Sequence, residues 1–268
     1  MQAQCRTSKS LGGGFSGTPS EVWGTIDYMD RTKSTCFFGM YDLRDYIALW
    51  RHKGKAWILW AGGDLNNLDR GFMLNDGKLR WISKIPFFKP LLVKLLKKAE
   101  HWVENGWEEG VLSQFGIKCK ICPSFLGDMN KYKPPKKYKR YSFWASASEG
   151  RQIEYGWDRI EEMAKKYKFY RFHLYGASWK TKQKNVIVHG RVPMDQMDRE
   201  TRVMAGSIRP NIRDGFSEVT AKSLLWGQYP ITEIKYPYTN IIGKKLPNIK
   251  GRNYYLETLN KYPWCETF

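Results

Sequence analysis

The sequence predicts an α/β protein built from two doubly wound parallel domains. Short apolar runs alternate with helix-period segments along the chain, the pattern of parallel strands joined by crossover helices. A proline- and lysine-rich stretch, Lys133-Pro134-Pro135-Lys136-Lys137-Tyr138-Lys139-Arg140, punctuates the middle as an interdomain linker. The chain has 268 residues, 42% hydrophobic and 15% aromatic. That supply of apolar surface excludes a disordered basic tail and suffices for two modest cores. The expected domains are residues 1–138 and 139–268, with the last helix packing back on the first domain.

Taken in order, Thr35 to Tyr41 reads as a strand and Asp42 to His52 as a helix capped by Asp42. Ala56 to Ala61 is a buried strand, ended abruptly by Gly62-Gly63-Asp64. From Ile85 to Val103, Leu91, Leu92, Leu95, Leu96, Ala99, Trp102 and Val103 share one helical face, with Lys94, Lys97 and Lys98 on another. A helix over Glu104 to Phe115 and a strand over Ile117 to Cys122 follow. The second half repeats the rhythm: strand Tyr141 to Ala147, helix Tyr155 to Lys166, strand Arg171 to Tyr175, strand Val186 to His189. Helix Asp195 to Met204, strand Ser207 to Arg209 and helix Ser217 to Leu225 complete it.

Charge narrows the function classes. Lysine and arginine number 45 against 26 acidic residues, a formal net charge of +19. Residues 1–140 carry +11 and residues 141–268 carry +8, so both halves are basic. A polyanionic partner follows, nucleic acid or an acidic membrane surface. The five cysteines (Cys5, Cys36, Cys119, Cys122, Cys265) suggest no disulfide framework, which favours a reducing cytoplasm. Cys119-Lys120-Ile121-Cys122 lacks the second ligand pair of a zinc ribbon and reads as a short strand. No stretch approaches the roughly 20 apolar residues of a spanning helix, although Ile85 to Val103 leaves peripheral membrane contact open.

The stretch richest in chemistry is Ile208-Arg209-Pro210-Asn211-Ile212-Arg213-Asp214-Gly215-Phe216-Ser217-Glu218-Val219-Thr220-Ala221-Lys222-Ser223-Leu224-Leu225-Trp226-Gly227. A strand ends at Arg209, the chain turns at Asp214-Gly215, and Ser217 caps a helix whose N–H groups point back into the loop. Such a helix start beside Gly and Arg either binds phosphate or is an ordinary capped helix. The Arg-Pro…Asp-Gly-Phe-Ser…Ala-x-Ser-Leu-x-Trp-Gly pattern resembles the donor-binding motif of glycosyltransferase family 4 and related GT-B enzymes. Tyr155-Gly156-Trp157-Asp158, Phe172-His173-Leu174-Tyr175-Gly176 and Asn185-Val186-Ile187-Val188-His189-Gly190-Arg191-Val192-Pro193 resemble its other landmarks, in the same order. The likeness covers about residues 141–235 and extends to the minimal DNA glucosyltransferases of phages. It implies a GT-B fold, two Rossmann-like domains facing a central cleft, with a reduced N-terminal domain.

The resemblance implies residue roles. The family's motif is Glu, seven residues, Glu; here Asp214 takes the first place and Lys222 the second. An ammonium cannot accept the ribose hydrogen bond that the second glutamate accepts, so Glu218 takes over or Lys222 turns to phosphate. The implied donor-binding set is Arg151, Arg209, Asp214, Gly215, Phe216, Ser217, Glu218 and Lys222. Arg151, Arg209 and the helix start at Ser217 would stabilise charge developing on a diphosphate. Arg213 is weaker, as a neighbour that pairs with Asp214. Asp64, just after a buried strand, is the candidate acceptor base, or else a helix or turn cap. Asp214, the other catalytic candidate, would bind sugar hydroxyls or position the loop, or simply form the Asp-Gly turn; His101 and His189 are alternatives more in keeping with structural roles. Gly12-Gly13-Gly14 reads as a flexible opening rather than a phosphate loop.

The expected reaction is hexosyl transfer from a nucleotide sugar, a UDP-sugar, to a hydroxyl. The first-ranked acceptor is a hydroxymethylated pyrimidine in double-stranded DNA, flipped out of the stack and held by Lys133, Lys136, Lys137, Lys139 and Arg140. Tyr138-Lys139-Arg140-Tyr141 and Lys165-Lys166-Tyr167-Lys168-Phe169-Tyr170 interleave rings with cations in a way that suits stacking beside phosphates. The second reading is a membrane-surface transferase for lipid-linked glycans; the third is a catalytically lapsed DNA-binding protein. No tightly bound cofactor is expected, a divalent metal requirement is left open, and the protein is expected to be monomeric and cytoplasmic.

Overall fold

The computed structural model describes residues 2–11, 16–71, 80–215, 217–236 and 246–265. The chain divides into two compact units. Unit 1 comprises Met1–Asp128, Arg213–Phe216 and Thr258–Phe268; unit 2 comprises Met129–Ile212 and Ser217–Glu257.

Unit 1 contains β1 (Gln4–Thr7), α1 (Pro19–Trp23), β2 (Ile26–Asp27), β3 (Thr35–Phe38), α2 (Leu43–Arg51), β4 (Ala56–Leu59), α3 (Gly63–Asp69), α4 (Phe88–Leu96), β5 (Glu100–Val103), α5 (Gly106–Ser113) and β6 (Cys119–Ile121). Its strands form one parallel sheet in the order β2-β1-β3-β4-β5-β6. Alternation decides which face each residue covers. Phe37, Ile58 and Val103 enter one core with Leu65, Leu92 and Leu96, while Cys36, Phe38, Trp57, Leu59 and Trp102 enter another. A sheet buried on both faces must read as a continuous apolar run, which is why β3 and β4 are legible in the sequence. The second core is closed by residues near the C-terminal end of the described chain: Tyr262 stacks on Trp264 at 4.5 Å, and Trp264 meets Trp23 and Trp102 edge-on at 6.1 and 5.8 Å and Trp57 at a tilt at 5.8 Å.

Unit 2 contains β7 (Lys139–Ser146), α6 (Trp157–Lys166), β8 (Arg171–Tyr175), β9 (Val186–Gly190), α7 (Met194–Thr201), β10 (Met204–Arg209), α8 (Glu218–Leu225), β11 (Tyr229–Thr232) and α9 (Ile249–Thr258). Its five strands are parallel in the order β11-β10-β7-β8-β9. The chain starts at β7, runs outward to β9, then returns to the other side as β10. The gap between the C-terminal ends of β7 and β10 is therefore the switch point where such sheets collect ligands.

Several expectations are corrected. The segment Ile85 to Val103 is not one helix. Its last turn tightens at Lys97 and Lys98, whose N–H groups reach Val93 and Leu95, and β5 then pairs with β4. Trp102 and Val103 thus gain sheet burial that a helix face shared with Leu91, itself 62% exposed, would not give. The helix after Asp195 ends at Thr201, because Met204 already belongs to β10. The basic stretch is not a free linker, and the division falls at 128/129 rather than 138/139. Tyr132 packs on Trp226 at 5.4 Å and Tyr138 donates to the Trp226 carbonyl at 2.6 Å, anchoring the stretch to unit 2. The last helix also belongs to unit 2 through Glu257; its final residue, Thr258, and the residues after it join unit 1. Gly12-Gly13-Gly14 lies outside the described residues.

Candidate functional site

Unit 2 holds a cavity of about 990 Å³ at the C-terminal ends of its strands, beside the switch point. Ser146, Ala147 and Ser148 line it from the end of β7, Gly176 from β8, Arg209 from β10, and Arg191, Val192, Pro193, Met194 and Met197 from the entry to α7. Glu149 and Tyr155 complete the wall. Gly176 has φ +93, and a Cβ there would sit 2.4 Å from the Ala147 carbonyl oxygen, so only glycine lets the ends of β7 and β8 close together.

Arg209 is the cavity's recessed cation. It is 9% exposed, its guanidinium lies 4.0 Å from the centroid of Tyr155, and it donates to the Ser146 carbonyl at 3.4 Å. The neighbouring turn brings the ring there: Gly156 (φ +72) packs its bare Cα on Pro210, where a Cβ would approach within 2.6 Å. Arg151 lies 4.9 Å from the same ring, but its head is committed to Glu154 at 2.5 and 2.8 Å. That hydrogen-bonded pairing holds the Arg151 guanidinium above its ordinary range. Arg191 is exposed at the rim, and among the described residues no carboxylate pairs with it. Glu149 accepts from the Ser178 N–H and hydroxyl, both at 2.9 Å, and from Gln152 at 2.7 Å. Those bonds, the Ser178 backbone first, hold its carboxyl below the usual range. The result is a recessed guanidinium on an aromatic face, a second guanidinium at the mouth and an ordered wall, which suits a ligand with a planar ring and an anionic group.

The other residues singled out in the sequence are placed elsewhere. Lys222 does not line the cavity. It is 2% exposed, its Nζ lies 3.1 Å from Asp198 and 3.7 Å from Glu218, and it sits 5.5 Å from the Tyr132 ring. Burial would lower its ammonium, but the carboxylates of Asp198 and Glu218 outweigh this and hold it above the ordinary value. A phosphate-facing Lys222 is therefore corrected to a buried ion pair, and Glu218 is drawn into the same network. Ser217 caps α8, accepting from the Thr220 N–H at 3.3 Å. Arg213, Asp214 and Gly215 cluster with unit 1. Arg213 pairs with Asp69 at 3.4 Å and reaches Asn66 at 3.3 Å. The Asp214 carbonyl accepts from Asn105 at 2.9 Å. Gly215 lies against Gly62, and a Cβ on either would stand 2.4 Å from the other's nitrogen. Phe216 lies outside the described residues.

Asp64 is corrected from an acceptor base to a buried staple. It is 1% exposed and accepts the N–H groups of Met40 (2.9 Å), Ala61 (3.1 Å) and Leu65 (2.9 Å). Burial raises its carboxyl to about 6, against those three bonds. His101 is likewise structural: Trp60 donates to its Nδ1 at 3.0 Å, so its Nε2–H donates to the Leu96 carbonyl at 2.9 Å, and burial lowers it to about 4. His189 stacks on Tyr175 at 4.2 Å, hydrogen-bonds His173 Nδ1 through its Nε2 at 2.9 Å, and stands 3.6 Å from Glu200. Lys133, Lys136, Lys137, Lys139 and Arg140 are exposed. Lys139 and Arg140 open β7, however, whereas the cavity takes its far end at Ser146. Seven residue steps of strand, roughly 23 Å, separate the two ends.

Sequence reasoning missed Glu149, Arg191, Met194 and Met197 as cavity lining. The available signal was position: each follows the C-terminal end of a strand, where open parallel sheets place their ligands.

No protein-family model and no curated protein matches the sequence. Solved structures do match. TarM aligns with a TM-score of 0.53 at 11% identity over 86% of this chain and 48% of its own. An S. aureus TarM variant in complex with Fondaparinux, alpha-GlcNAc-glycerol and UDP aligns equally well, at 12% identity. The pneumococcal O-GlcNAc transferase GtfA in complex with UDP and GlcNAc gives 0.50 at 12% identity over 84% of this chain and 51% of its own. The chain spans about half the length of these proteins. What they share with it is architecture: two parallel α/β units of the Rossmann-like kind, the GT-B fold.

Proposed function

We propose that the protein is a nucleotide-sugar-dependent glycosyltransferase whose donor, a UDP-sugar, occupies the cavity of unit 2. The observation that carries this reading is Arg209, recessed on Tyr155 at the switch point between β7 and β10. In the reaction, the bond between the anomeric carbon and the diphosphate oxygen breaks, its electron pair going to that oxygen, as the acceptor oxygen bonds to the carbon and passes its proton to the departing diphosphate. Negative charge grows on the departing diphosphate. Arg209 at the cavity wall and Arg191 at its mouth are the cations placed to meet it. No step in this account calls on a resident cofactor.

For the acceptor, the net charge of +19 and its presence on both halves favour a polyanion, and the reading we adopt is a hydroxymethylated pyrimidine in DNA. A second reading, transfer to a lipid-linked glycan at a membrane surface, is favoured by exposed apolar side chains in unit 1. Trp81 (61% exposed), Phe87 (84%) and Leu91 (62%) stand among exposed Lys84, Lys89 and Lys94. No helix among the described residues is long and apolar enough to cross a membrane, so such contact would be peripheral.

The test has two stages. Calorimetric titration with UDP and UDP-sugars should give saturable binding that Arg209→Ala weakens roughly tenfold or more, the loss of a charge-assisted contact; undiminished binding would remove the donor from this cavity. Labelled UDP-glucose and UDP-N-acetylglucosamine are then offered with hydroxymethylated DNA, unmodified DNA, or acidic liposomes carrying lipid acceptors. Sugar on the modified nucleoside supports the DNA reading, and label in lipid alone overturns it.

A further inference from the structure

At the end of the unit 2 strands opposite the cavity, where β7 and β8 begin, aromatic rings stand in solvent. Phe169 is 71% exposed, Tyr141 51% and Tyr167 41%. They form a connected group: Tyr141 meets Phe169 edge-on at 4.4 Å, and both touch Tyr170, at 6.1 and 6.3 Å. Around them Lys139, Arg140, Lys165, Lys166, Lys168 and Arg171 are all exposed. Among the described residues no carboxylate pairs with any of these six.

The platform is ordered before any partner arrives. The Asn185 side-chain amide donates to the carbonyls of Ala164, Tyr167 and Tyr170 at 3.0 to 3.2 Å, pinning the end of α6 and the loop that presents Phe169. Lys165 and Lys166 also lie in the last turn of α6, where cations offset the helix dipole. That bland role accounts for two charges and leaves Phe169 and Tyr141 unexplained. Exposed rings cost hydrophobic burial, and here they are held at fixed geometry beside cations that no carboxylate among the described residues neutralises, Lys168 donating instead to the Gln183 side chain at 2.6 Å and Lys166 lying over the Tyr167 ring.

We infer that this end of the sheet is a docking site for single-stranded nucleic acid. Bases stack on Phe169 and Tyr141, and phosphates lie along the lysines and arginines. A single strand fits better than a duplex, because stacking needs base faces that a duplex hides. It fits better than a lipid surface, because the apolar groups here are rings in a ring-to-ring cluster with no exposed aliphatic side chain among them. The surface lies roughly 23 Å from the cavity end of β7, so a strand held here leaves the cavity open. The inference stands apart from the transferase reading: it concerns binding, and no donor enters it.

The experiment is fluorescence anisotropy on the full chain with a labelled twenty-nucleotide oligo-dT, between about 50 and 200 mM salt. A duplex of equal length and phosphatidylcholine–phosphatidylserine vesicles serve as competitors. Tyr141→Ala with Phe169→Ala should weaken oligo-dT binding roughly tenfold or more, with the salt slope retained. Lys165→Gln with Lys166→Gln and Lys168→Gln should instead flatten the slope by about two. Phe169→Leu keeps apolar surface and removes the ring, and should still weaken binding. Saturating UDP should leave it unchanged. The inference is overturned if the ring substitutions have no effect, if duplex binds as tightly as the single strand, or if vesicles displace the oligonucleotide at equal charge.

Discussion

Replacing Asp64 with asparagine separates a carboxylate that holds the fold from one that performs chemistry. Asp64 is 1% exposed, and burial raises its carboxyl from the ordinary 3.8 to about 6. A folded-state value above the unfolded one means that folding favours the protonated form. Its contribution to stability is therefore fully present below about pH 4 and lost as pH rises to about 6. At ~1.4 kcal/mol per pH unit, that interval amounts to about 3 kcal/mol. Asparagine does not titrate. The unfolding free energy of Asp64→Asn, relative to the parent, should thus improve by about 3 kcal/mol between pH 4 and pH 6.5 and then stay level. A fixed penalty of about 1–3 kcal/mol lies beneath this change, since the new amide turns a donor toward the Met40 N–H. Urea unfolding followed by tryptophan fluorescence at several pH values reads the difference. His101, lowered to about 4 by burial, drives stability the other way as pH falls, but it is common to both proteins and cancels. A difference that does not change with pH would refute the reasoning. So would a folded Asp64→Asn protein whose turnover falls about a hundredfold or more, since that would restore Asp64 as the base.

Lys222→Met leaves Asp198 and Glu218 facing each other without their shared cation. Their side chains are 22% and 16% exposed, so the ~3–5 kcal/mol of a broken buried pair reduces to about 2–3 kcal/mol, read as a lower urea midpoint. Adding Asp198→Asn should recover part of that loss, and UDP affinity should not change; weaker UDP binding without a stability loss would return Lys222 to the donor site. Trp264→Ala empties a site in contact with four aromatic rings and should cost about 3–5 kcal/mol. Unaltered thermal unfolding would show that these rings do not hold the closing segment.

The sequence made some of this architecture legible and concealed the rest for physical reasons. Strands β3 and β4 could be read because both of their faces are covered and their residues run apolar. Strand β1, Gln-Cys-Arg-Thr, could not: Gln4 is buried by bonding Met29, Asp30 and Thr35, and half-buried Arg6 pairs with buried Asp45, so polar groups fill positions that hydrophobicity would mark. β5 was masked because Ala99, Trp102 and Val103 fall by chance on the helical period of the residues before them. In the cavity, Arg209 was legible from its place at a strand end. Lys222 was assigned to the donor because motif position says nothing about which way a helical side chain turns, and only Asp198, on another helix, explains where its charge goes.

Unit 1 is discontinuous in sequence, and this sets an order on its making. Trp23, Trp57 and Trp102 are synthesised early, but Tyr262 and Trp264, which cover them, follow only after unit 2 has been made. About 130 residues separate Asp128 from Thr258. At ~5–20 residues per second, the nascent sheet waits roughly 7 to 26 seconds with one aromatic face open. During that interval unit 2, continuous except for residues 213–216, is itself being made, and one face of the unit 1 sheet stays uncovered throughout. The face left open is the part of the nascent chain that a holding chaperone would grip.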